Sequence, residues 1–412
     1  MEDPIRLRPF RAGRPVPPIA ASVASPPYDV VTREEAAALA RGNPFSFLHV
    51  VRSEIDLPAD VDPYDPRVYA KARQNLDLLY REGSFQRDAA PAVFVYQLTW
   101  QGKSQTGIVA CLHVDDYAGD GIRKHETTRA DKEDDRTRHI LEVGSHAEPV
   151  FLAYDGHPFL AQLTGKTTSV AEPLYDFEAS DGVRHCLWRV TDTAPYVDGF
   201  RRVDHVYVAD GHHRSASALR AARERRAANP GHTGDEEYNW FPCVLFPASQ
   251  LRILPYHRVV RDLGGLEAAT FLARVGALGR LDRGAAALPE APGSFGVYLD
   301  GTWHRLTFDP NSIERRDPIR SLDAALLQER VLAPILGITD IRTDPRIDFV
   351  GGIRGVPELE RRVQSGSAVA FAMHPVSFGQ VMVVADAGAI MPPKTTWFEP
   401  KLRSGLFVHP LD

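Results

Sequence analysis

The sequence predicts a mixed α+β fold in which helices pack on largely antiparallel sheets, and two patterns predict it. The first is a pair of apolar, β-branched runs, Ala92–Trp100 and Thr106–Val114, separated by a short polar turn typical of a hairpin. The second pattern is helical: in other segments, such as Pro66–Glu82, apolar residues recur at the spacing of one helix face. Both kinds of layer are therefore expected in one chain.

Length and composition are those of an ordinary globular protein. The chain has 412 residues, 43% of them hydrophobic and 25% charged, with a formal net charge of -6. These values exclude collagen-like, disordered and disulfide-stapled chains. At about 100–200 residues per domain, the length predicts two or three domains. We expect an N-terminal α/β extension over 1–90, a core over 91–262 and a C-terminal α+β domain over 263–412 that completes the site.

Four further features bear on location and partners. The three cysteines are odd in number and far apart, which predicts a reducing compartment. Met1–Pro4 carries acid and no apolar run, so we expect no secretory signal and a cytoplasmic location. The longest uncharged stretch, Val363–Ala385, contains His374 and Pro375, which are costly in hydrocarbon, and we expect it to be ordinary buried structure rather than a membrane span. The net negative charge makes nucleic acid an unexpected partner.

The first 90 residues contain three predicted elements. Thr32 is a good N-cap for a short helix that runs to Ala40 and ends at a Gly-Asn-Pro sequence. Phe45–Val51 is rich in aromatic and β-branched residues and is predicted to be a strand. Pro66–Glu82 is predicted to be a helix that ends at Gly83.

The clearest local architecture is a strand, a loop and a helix in the middle of the chain. Val203–Ala209 is predicted to be a strand that leads directly into a polar loop, and Ser215–Ala228 a helix that ends at an Asn-Pro pair. The same patterns predict further strands at Pro149–Tyr154, Arg184–Val190, Phe241–Phe246, Leu251–Val260, Phe295–Leu299, Trp303–Phe308 and Ala368–Met373, and further helices at Ala130–Val143, Leu266–Leu278, Ala324–Leu336, Pro357–Gln364 and Phe378–Ala387.

Gly165-Lys166-Thr167 resembles the end of a phosphate-binding P-loop. The motif needs a glycine five positions before Gly165, and that position is Leu160. Without this glycine the loop cannot aim successive backbone N–H groups at phosphate, so we expect a surface turn.

Two arrangements of histidine also fall short of metal motifs. His125-Glu126-Thr127-Thr128-Arg129 imitates the HExxH of zinc proteases, but the position of the second imidazole holds a cation. His212 and His213 are adjacent, and neighbouring side chains on a regular element point in different directions, so they rarely share a metal.

The residues at the predicted strand-to-helix junction are Asp210-Gly211-His212-His213-Arg214. Unpaired N–H groups of a first helical turn and the helix dipole form an anion site there. The glycine allows a close approach of the backbone, the histidines and the arginine add donors, and the aspartate can hold Mg²⁺ or orient a hydroxyl. The alternative is that the aspartate is only an N-cap. Because all five consecutive residues have such properties and lie at a strand-to-helix junction, we favour a functional site over a plain N-cap.

A second charged segment lies upstream of the predicted helix Ala130–Val143. A carboxylate among cations can stay ionised and act as a base, with an adjacent histidine to orient it, and this interpretation singles out Glu126 and His125. A solvated charged segment is an equal alternative for these two residues. For Glu133, Asp134 and Asp135 we expect the solvated charged face of a helix.

A third segment, near the C-terminus, combines rigid prolines with Lys394, Thr395 and Thr396. One lysine and two hydroxyls on a stiff loop can bind phosphate or carboxylate at little ordering cost, although a plain proline-stiffened loop has the same composition. Lysine is informative in this chain because only seven of its 48 basic residues are lysine: Lys71, Lys103, Lys124, Lys132, Lys166, Lys394 and Lys401.

In their order along the chain, His125-Glu126, Val208–Arg214 and Pro393–Thr396 resemble the motifs of the free serine kinases, which have a ParB/sulfiredoxin-type fold. Over nearly its whole length, including Pro26–Val30 and Met391–Leu411, the chain also resembles a widespread bacterial family long known as a domain of unknown function. The resemblance implies mixed sheets with a ParB/sulfiredoxin-like nucleotide-binding core at 91–262 and an α+β subdomain after it.

The resemblance also implies an activity, namely phosphoryl transfer from ATP or ADP, with Mg²⁺, to the hydroxyl of free L-serine. In that reaction Glu126 is the general base with His125 beside it, and Asp210 lies at the Mg²⁺ and the reacting phosphate. The roles of the remaining residues follow the same motifs. Nucleotide phosphates are expected at Gly211, His212, His213 and Arg214, and the acceptor's phosphate or carboxylate at Lys394, Thr395 and Thr396.

Two alternatives stay open. ParB-type proteins bind nucleotide without small-molecule kinase activity and then act on DNA, so the chain can be a non-catalytic nucleotide-binding regulator. The basic helix Arg220–Arg226 is then the contact surface, although the overall acidity and the lack of a helix-turn-helix pattern disfavour it. In the second alternative the chain is a kinase for another small hydroxy compound, because the long N-terminal region can reshape the pocket.

Overall fold

The computed structural model describes residues 5–412, and the chain divides into two compact units. The first unit runs to Leu251 and includes Pro400–Asp412, and the second is Arg252–Glu399. The expectation about a secretory signal falls on Met1–Pro4, which lies outside the described residues. Among the described residues, no helix has both the length and the apolar character needed to cross a membrane.

A nine-stranded mixed sheet is the centre of the first unit. The strands of this unit are β1 (Leu7–Arg8), β2 (Gly13–Pro15), β3 (Phe85–Arg87), β4 (Val93–Trp100), β5 (Lys103–His113), β6 (Ile122–Arg123), β7 (Ser145–His146), β8 (Val150–Tyr154), β9 (Tyr175–Glu178), β10 (Arg184–Val190), β11 (Val206–Asp210), β12 (Trp240–Pro247) and, near the C-terminus, β21 (His409–Pro410), which pairs with β7. Its helices are α1 (Ala20–Val23), α2 (Arg33–Ala40), α3 (Leu48–Val51), α4 (Pro66–Arg81), α5 (Val114–Ala118), α6 (Ala130–Val143), α7 (Pro158–Val170), α8 (Ala194–Phe200) and α9 (His212–Ala228).

The strand order of the large sheet is β6-β11-β8-β12-β5-β4-β10-β9, with β1 also paired to β5. Most neighbours are antiparallel, but β11 runs parallel to β6, and β12 runs parallel to β8. Apolar side chains of β4, β5, β8, β11 and β12 form the main core together with residues of α7, α8 and α9. The predicted mixed α+β class is confirmed, and the large sheet is mixed with mostly antiparallel neighbours.

The second unit has its own six-stranded antiparallel sheet, in the order β15-β17-β16-β19-β14-β18. The strands of this unit are β13 (Arg252–Leu254), β14 (Tyr256–Val260), β15 (Gly279–Arg283), β16 (Ser294–Leu299), β17 (Thr302–Phe308), β18 (Ile347–Gly351), β19 (Val369–Ala372) and β20 (Trp397–Glu399). Its helices are α10 (Ala268–Gly276), α11 (Asp323–Leu327), α12 (Gly355–Gln364) and α13 (Phe378–Asp386). A separate core lies on one face of this sheet.

Several predicted elements are confirmed with small changes of boundary. The Thr32 side chain caps α2 and forms a capping box with Glu35. The α6 helix occupies Ala130–Val143 as predicted, and the hairpin β4–β5 has the predicted pairing. Local patterns were sufficient here because caps, helical periodicity and turn residues agreed.

Two predictions of local structure are wrong. Phe45–Val51 is not a strand. Leu48–Val51 form the short helix α3, and its apolar residues pack with Phe47 and with residues of α4 in one cluster. Aromatic and β-branched composition records a preference for burial as much as for a strand, and here burial is achieved by a helix. Gly165-Lys166-Thr167 is not a surface turn but lies within α7, whose Leu160 is fully buried.

Candidate functional site

The predicted junction is formed by β11 and α9. Asp210 is the last residue of the strand, and the helix begins at His212, three residues earlier than the composition predicted. Gly211 between them has φ of 99°, a conformation that glycine adopts without strain, and a Cβ at this position would lie 2.9 Å from Nε of Arg214. The N-cap is therefore Gly211 and not Asp210, which leaves the aspartate carboxylate for other partners.

The partners of Asp210 are two cations. Its Oδ2 accepts a hydrogen bond from Nζ of Lys401 at 3.1 Å and lies 3.6 Å from Nη2 of Arg214. Burial by itself raises the pKa of the Asp210 carboxyl, but the two cations outweigh burial and hold this pKa well below its usual range. Asp210 is thus ionised at neutral pH although it lies at the end of a strand with neighbours on both sides.

His125 and Glu126 meet this junction because β6 and β11 are parallel neighbours. Ile122 pairs with Val206 and Arg123 with Tyr207, so the residues that follow β6 emerge at the same edge as Asp210. This pairing brings together segments that are more than 80 residues apart in the chain.

Three side chains converge at that edge. The rings of His125 and His212 have centroids 4.5 Å apart and lie nearly perpendicular, and Nδ1 of His212 is 3.9 Å from Oε2 of Glu126. His125 is 1% exposed, whereas the Glu126 side chain is 44% exposed. Burial lowers the pKa of His125 to about 4 and that of His212 well below its usual value, so both imidazoles are neutral at pH 7.

The other two residues of the junction point to different surroundings. Nε2 of His213 accepts a hydrogen bond from the backbone N–H of Arg129 at 3.1 Å. Nη1 of Arg214 donates to the carbonyl of Pro149 at 2.6 Å, and Arg214 is 7% exposed. Burial opposes the charge of Arg214, but the carboxylates of Asp210, Asp29 and Glu148 raise its pKa. Arg214 therefore remains a cation directly behind the start of α9.

Behind Arg214 lies a buried polar network that sequence reasoning did not assign to a site. The guanidinium of Arg136 lies 4.1 Å from the ring centre of Tyr28, and the backbone N–H of Tyr28 donates to Glu148 at 3.1 Å. A cavity of about 20 Å³ is lined in part by Arg136, Glu148 and Arg214, enough for about one water molecule. The segment Pro26–Val30, which contains Tyr28, thus packs against the partners of Arg214.

The predicted solvated face of α6 is wrong at one position. Asp135 is 6% exposed and accepts hydrogen bonds from the Tyr69 hydroxyl and from Nε of Arg136, both at 2.9 Å. The acid is buried because a tyrosine of α4 and the neighbouring arginine satisfy its oxygens, and neither partner follows from helical periodicity.

The segment predicted to bind the acceptor belongs to the second unit. Lys394 has φ of 56°, and its ammonium nitrogen lies 5.6 Å from the ring centre of Tyr256. The Thr395 hydroxyl donates to the carbonyl of Pro392 at 2.6 Å, which tightens the turn. Thr396 directly precedes β20. As substrate-binding residues, Lys394, Thr395 and Thr396 stay a prediction.

Lys401 is a neighbour of the candidate site that the sequence analysis did not select. It was one of the seven lysines of the chain, and the scarcity of lysine was the signal that could have singled it out. Its partner Asp210 is 191 positions away, so no local pattern relates the two.

The chain matches a known protein family over most of its length. A family model described as "Protein of unknown function (DUF1015)" matches residues 7–325. A search of curated proteins gave no match.

Three solved structures illustrate the structural comparison. Free serine kinase in complex with AMP is 13% identical, with a TM-score of 0.35, and the match covers 72% of this chain and 92% of that one. A variant of free serine kinase in complex with ADP gives the same values. SbnI with C-terminal truncation from Staphylococcus aureus is 14% identical, with a TM-score of 0.39 and coverage of 72% and 85%. Because these TM-scores are low, we derive the chemistry below from the chain's own side chains.

Proposed function

The chain belongs to the DUF1015 family of proteins of unknown function, and from the chemistry of the β11–α9 junction we propose that it is a small-molecule kinase. The reaction would transfer a phosphoryl group from ATP or ADP to the hydroxyl of free L-serine and give O-phosphoserine. What supports phosphoryl transfer above all is one juxtaposition: the exposed carboxylate of Glu126 stands beside the first turn of α9, where an anion is favoured.

The start of α9 supplies the site for the phosphates. Gly211 has no side chain to cap the helix, so first-turn N–H groups and the positive end of the helix dipole are available to an anion. The cation of Arg214 lies within the same turn. Phosphoryl transfer depends mainly on positioning and on neutralising charge, and these groups provide both.

Glu126 is the proposed general base. Its side chain is 44% exposed, so a substrate hydroxyl can reach it, and it precedes α6 on a segment fixed by the pairing of β6 with β11. The neutral imidazole of His212 lies 3.9 Å from its Oε2. His125 is 1% exposed, and we assign it a positioning role behind Glu126 rather than contact with substrate.

Asp210 fits the part of a Mg²⁺ ligand in one respect and is constrained in another. Mg²⁺ in nucleotide sites is commonly held by one or two carboxylates together with phosphate oxygens, and Asp210 is ionised and adjacent to the phosphate site. Its Oδ2 is already paired with Lys401 and Arg214. Asp210 would therefore be the protein ligand of Mg²⁺ with most of the coordination left to the nucleotide, and the ion would neutralise phosphate charge.

The acceptor would bind through its ionic groups. Free serine carries a carboxylate, and its proposed partners come from the predicted set Lys394, Thr395 and Thr396. Lys394 supplies the positive charge. The Thr395 hydroxyl donates its proton to the carbonyl of Pro392, so Thr395 is assigned to holding the turn.

Phosphorus NMR tests the proposal directly. Purified full-length protein is incubated with Mg²⁺ and L-serine, with ATP or ADP as donor, and with a control that lacks serine. We expect a serine-dependent O-phosphoserine signal that is lost on Asp210→Asn and reduced by about 10²–10⁴ in rate on Glu126→Gln. Asp198→Asn is the matched control, because Asp198 is an exposed carboxylate of α8 that forms an ion pair with Arg201 at the end of this helix.

The same experiment separates the alternatives. Nucleotide consumption with other hydroxy compounds but not with serine would retain the kinase and change its acceptor. No consumption with any acceptor would contradict the kinase and favour the regulator. The structure disfavours the predicted DNA contact on α9, because Arg220, Arg225 and Arg226 form ion pairs with Asp134, Asp412 and Asp115.

A further inference from the structure

The side chains of His125, Glu126 and His212, which meet just after β6 and β11, are of the types that bind metal ions. His125, Glu126 and His212 each offer one ligand atom, and the three atoms lie within 4.8 Å of one another. Two ligands of a tetrahedral zinc-type ion lie about 3.3 Å apart, since each bond is about 2 Å long. Side-chain shifts that shorten the separations by up to about 1.5 Å would therefore bring all three atoms into a common coordination sphere.

The burial of His125 provides an independent observation. Its side chain is 1% exposed, and among residues 5–412 neither Nδ1 nor Nε2 has a hydrogen-bond partner. Nε2 of His212 is likewise buried without a partner in the described part of the chain. Buried polar groups are almost always satisfied, and each unsatisfied one costs about 1–3 kcal/mol. Three unsatisfied nitrogens on two adjoining imidazoles, both ring nitrogens of His125 and Nε2 of His212, require an explanation.

The ligand types identify the class of ion. Two imidazole nitrogens with one carboxylate oxygen suit Zn²⁺ and neighbouring transition metals, whereas Mg²⁺ prefers oxygen ligands only. We propose that His125, Glu126 and His212 bind one divalent transition-metal ion of the zinc type, at a site distinct from the Mg²⁺ assigned to Asp210. Three protein ligands leave a fourth position open for water or a substrate oxygen.

The surroundings of the cluster set its electrostatics. The start of α9 repels a cation, and so do Arg214 and Lys401, but the carboxylates of Asp210 and Glu126 lie on the same side. A hard ion held by charge alone is disfavoured there, which is a further reason to expect a metal that imidazole binds well.

Metal binding at this cluster does not depend on the proposed kinase reaction, but the two meet at Glu126. An ion coordinated by this carboxylate would withdraw it from the role of base. Transition-metal ions are therefore expected to inhibit phosphoryl transfer if that reaction occurs, while metal binding itself is measured without any substrate.

Cobalt spectroscopy tests the site. Tag-free, full-length protein is treated with a chelator, dialysed and titrated with Co²⁺ while the visible d–d absorption is recorded. We expect saturation at one ion per chain, displacement of Co²⁺ by one equivalent of Zn²⁺, and no displacement by millimolar Mg²⁺. His212→Ala should weaken Co²⁺ binding by at least about tenfold. His232→Ala is the matched control, because His232 also has a carboxylate neighbour, Glu236 at 2.8 Å, but lies outside the cluster.

A second variant guards against a loss of folding. Glu126→Gln removes the charge of an exposed side chain, and the circular dichroism spectrum of the variant is compared with that of the wild type to check that the chain is folded. We expect this variant also to bind Co²⁺ at least about tenfold more weakly. Absence of saturable d–d bands in the wild-type protein, or equal affinity in the wild type and His212→Ala, would overturn the site. Neither result depends on whether O-phosphoserine is formed.

Discussion

Lys401 places its ammonium nitrogen 3.1 Å from Oδ2 of Asp210. The side chain of Lys401 is 16% exposed and that of Asp210 is 22% exposed. Their ion pair connects the C-terminal segment of the chain to the end of β11. Together with Arg214 at 3.6 Å, Lys401 makes the end of β11 a site where a carboxylate stays charged within the protein. The ion pair is thus a positioning element for the residue that is proposed to meet Mg²⁺ and phosphate.

Lys401→Met is expected to impair the proposed reaction by raising the pKa of Asp210. With one of its two cations removed, the carboxyl takes up a proton at higher pH, so the acidic limb of the pH–rate profile should move to higher pH. The buried carboxylate also loses a hydrogen bond, and we expect the free energy of unfolding to fall by about 1–3 kcal/mol. The measurements are the pH profile of kcat and urea unfolding.

Two control variants accompany this test. Lys401→Arg keeps the charge and should retain the wild-type pH profile, whereas Lys103→Met removes an exposed lysine at the start of β5 and should change neither quantity. An unshifted acidic limb in Lys401→Met would contradict the positioning role.

Gly211→Ala is expected to disturb both the backbone and Arg214. The native φ of 99° strains any residue with a Cβ, and the added methyl would lie 2.9 Å from Nε of Arg214. We expect a loss of about 1–3 kcal/mol in unfolding free energy and a clear loss of phosphoryl transfer. Gly156→Ala is the control, because Gly156 has ordinary φ and open space around its Cα. Equal stability of the two variants would show that the junction tolerates a side chain.

Acid should destabilise the first unit through its buried histidines. His146 and His409 stack with ring centroids 6.0 Å apart, and burial lowers their pKa to about 3 and about 4. Their folded pKa values lie below the value near 6.5 of the unfolded chain, so this stability is complete above pH 6.5 and is lost as the pH falls. Each neutral histidine contributes a slope of at most about 1.4 kcal/mol per pH unit in this window.

The test compares urea unfolding at pH 7.5, 6 and 5 in the wild type and in His146→Gln. The glutamine cannot take up a proton, so the variant should lose less stability between pH 6 and 5 than the wild type does. An identical pH dependence in the two proteins would mean that His146 is not kept neutral in the folded state.

The second unit contains an acid with the opposite pH dependence. Asp323 is 6% exposed, and burial raises its pKa to about 7, while the backbone N–H of Gly293 donates to Oδ1 at 2.7 Å. The folded pKa lies above the unfolded value near 3.9, so the folded unit holds its proton between these values and loses stability as the pH rises through this window. Over the whole window the loss is at most about 4 kcal/mol.

Asp323→Asn isolates this effect, because asparagine resembles the protonated carboxyl. The variant should match the wild type most closely below about pH 4 and gain stability relative to it between pH 5 and pH 8, as measured by urea unfolding followed by fluorescence. A variant less stable than the wild type at pH 8 would show that the aspartate is ionised and stabilised in the folded unit.

Much of the local structure was predictable because short-range chemistry decides it. The capping box of Thr32 and Glu35, the turn between β4 and β5 and the periodicity of α6 each depend on residues a few positions apart. Phe45–Val51 was not predictable, because its burial against α4 decided between helix and strand. The burial of Asp135 was not predictable for the same reason, since its partner Tyr69 comes from a distant helix.

The sequence by itself determined the mixed α+β class, the motifs that resemble the free serine kinases and the strand-to-helix junction with its anion-binding potential. Only the tertiary structure decided that β6 pairs parallel with β11, which brings Glu126 and His125 to His212, and that Lys401 pairs with Asp210. The physical reason is that strand order and long-range ion pairs are selected by the packing of the whole unit. No local pattern of residues encodes them.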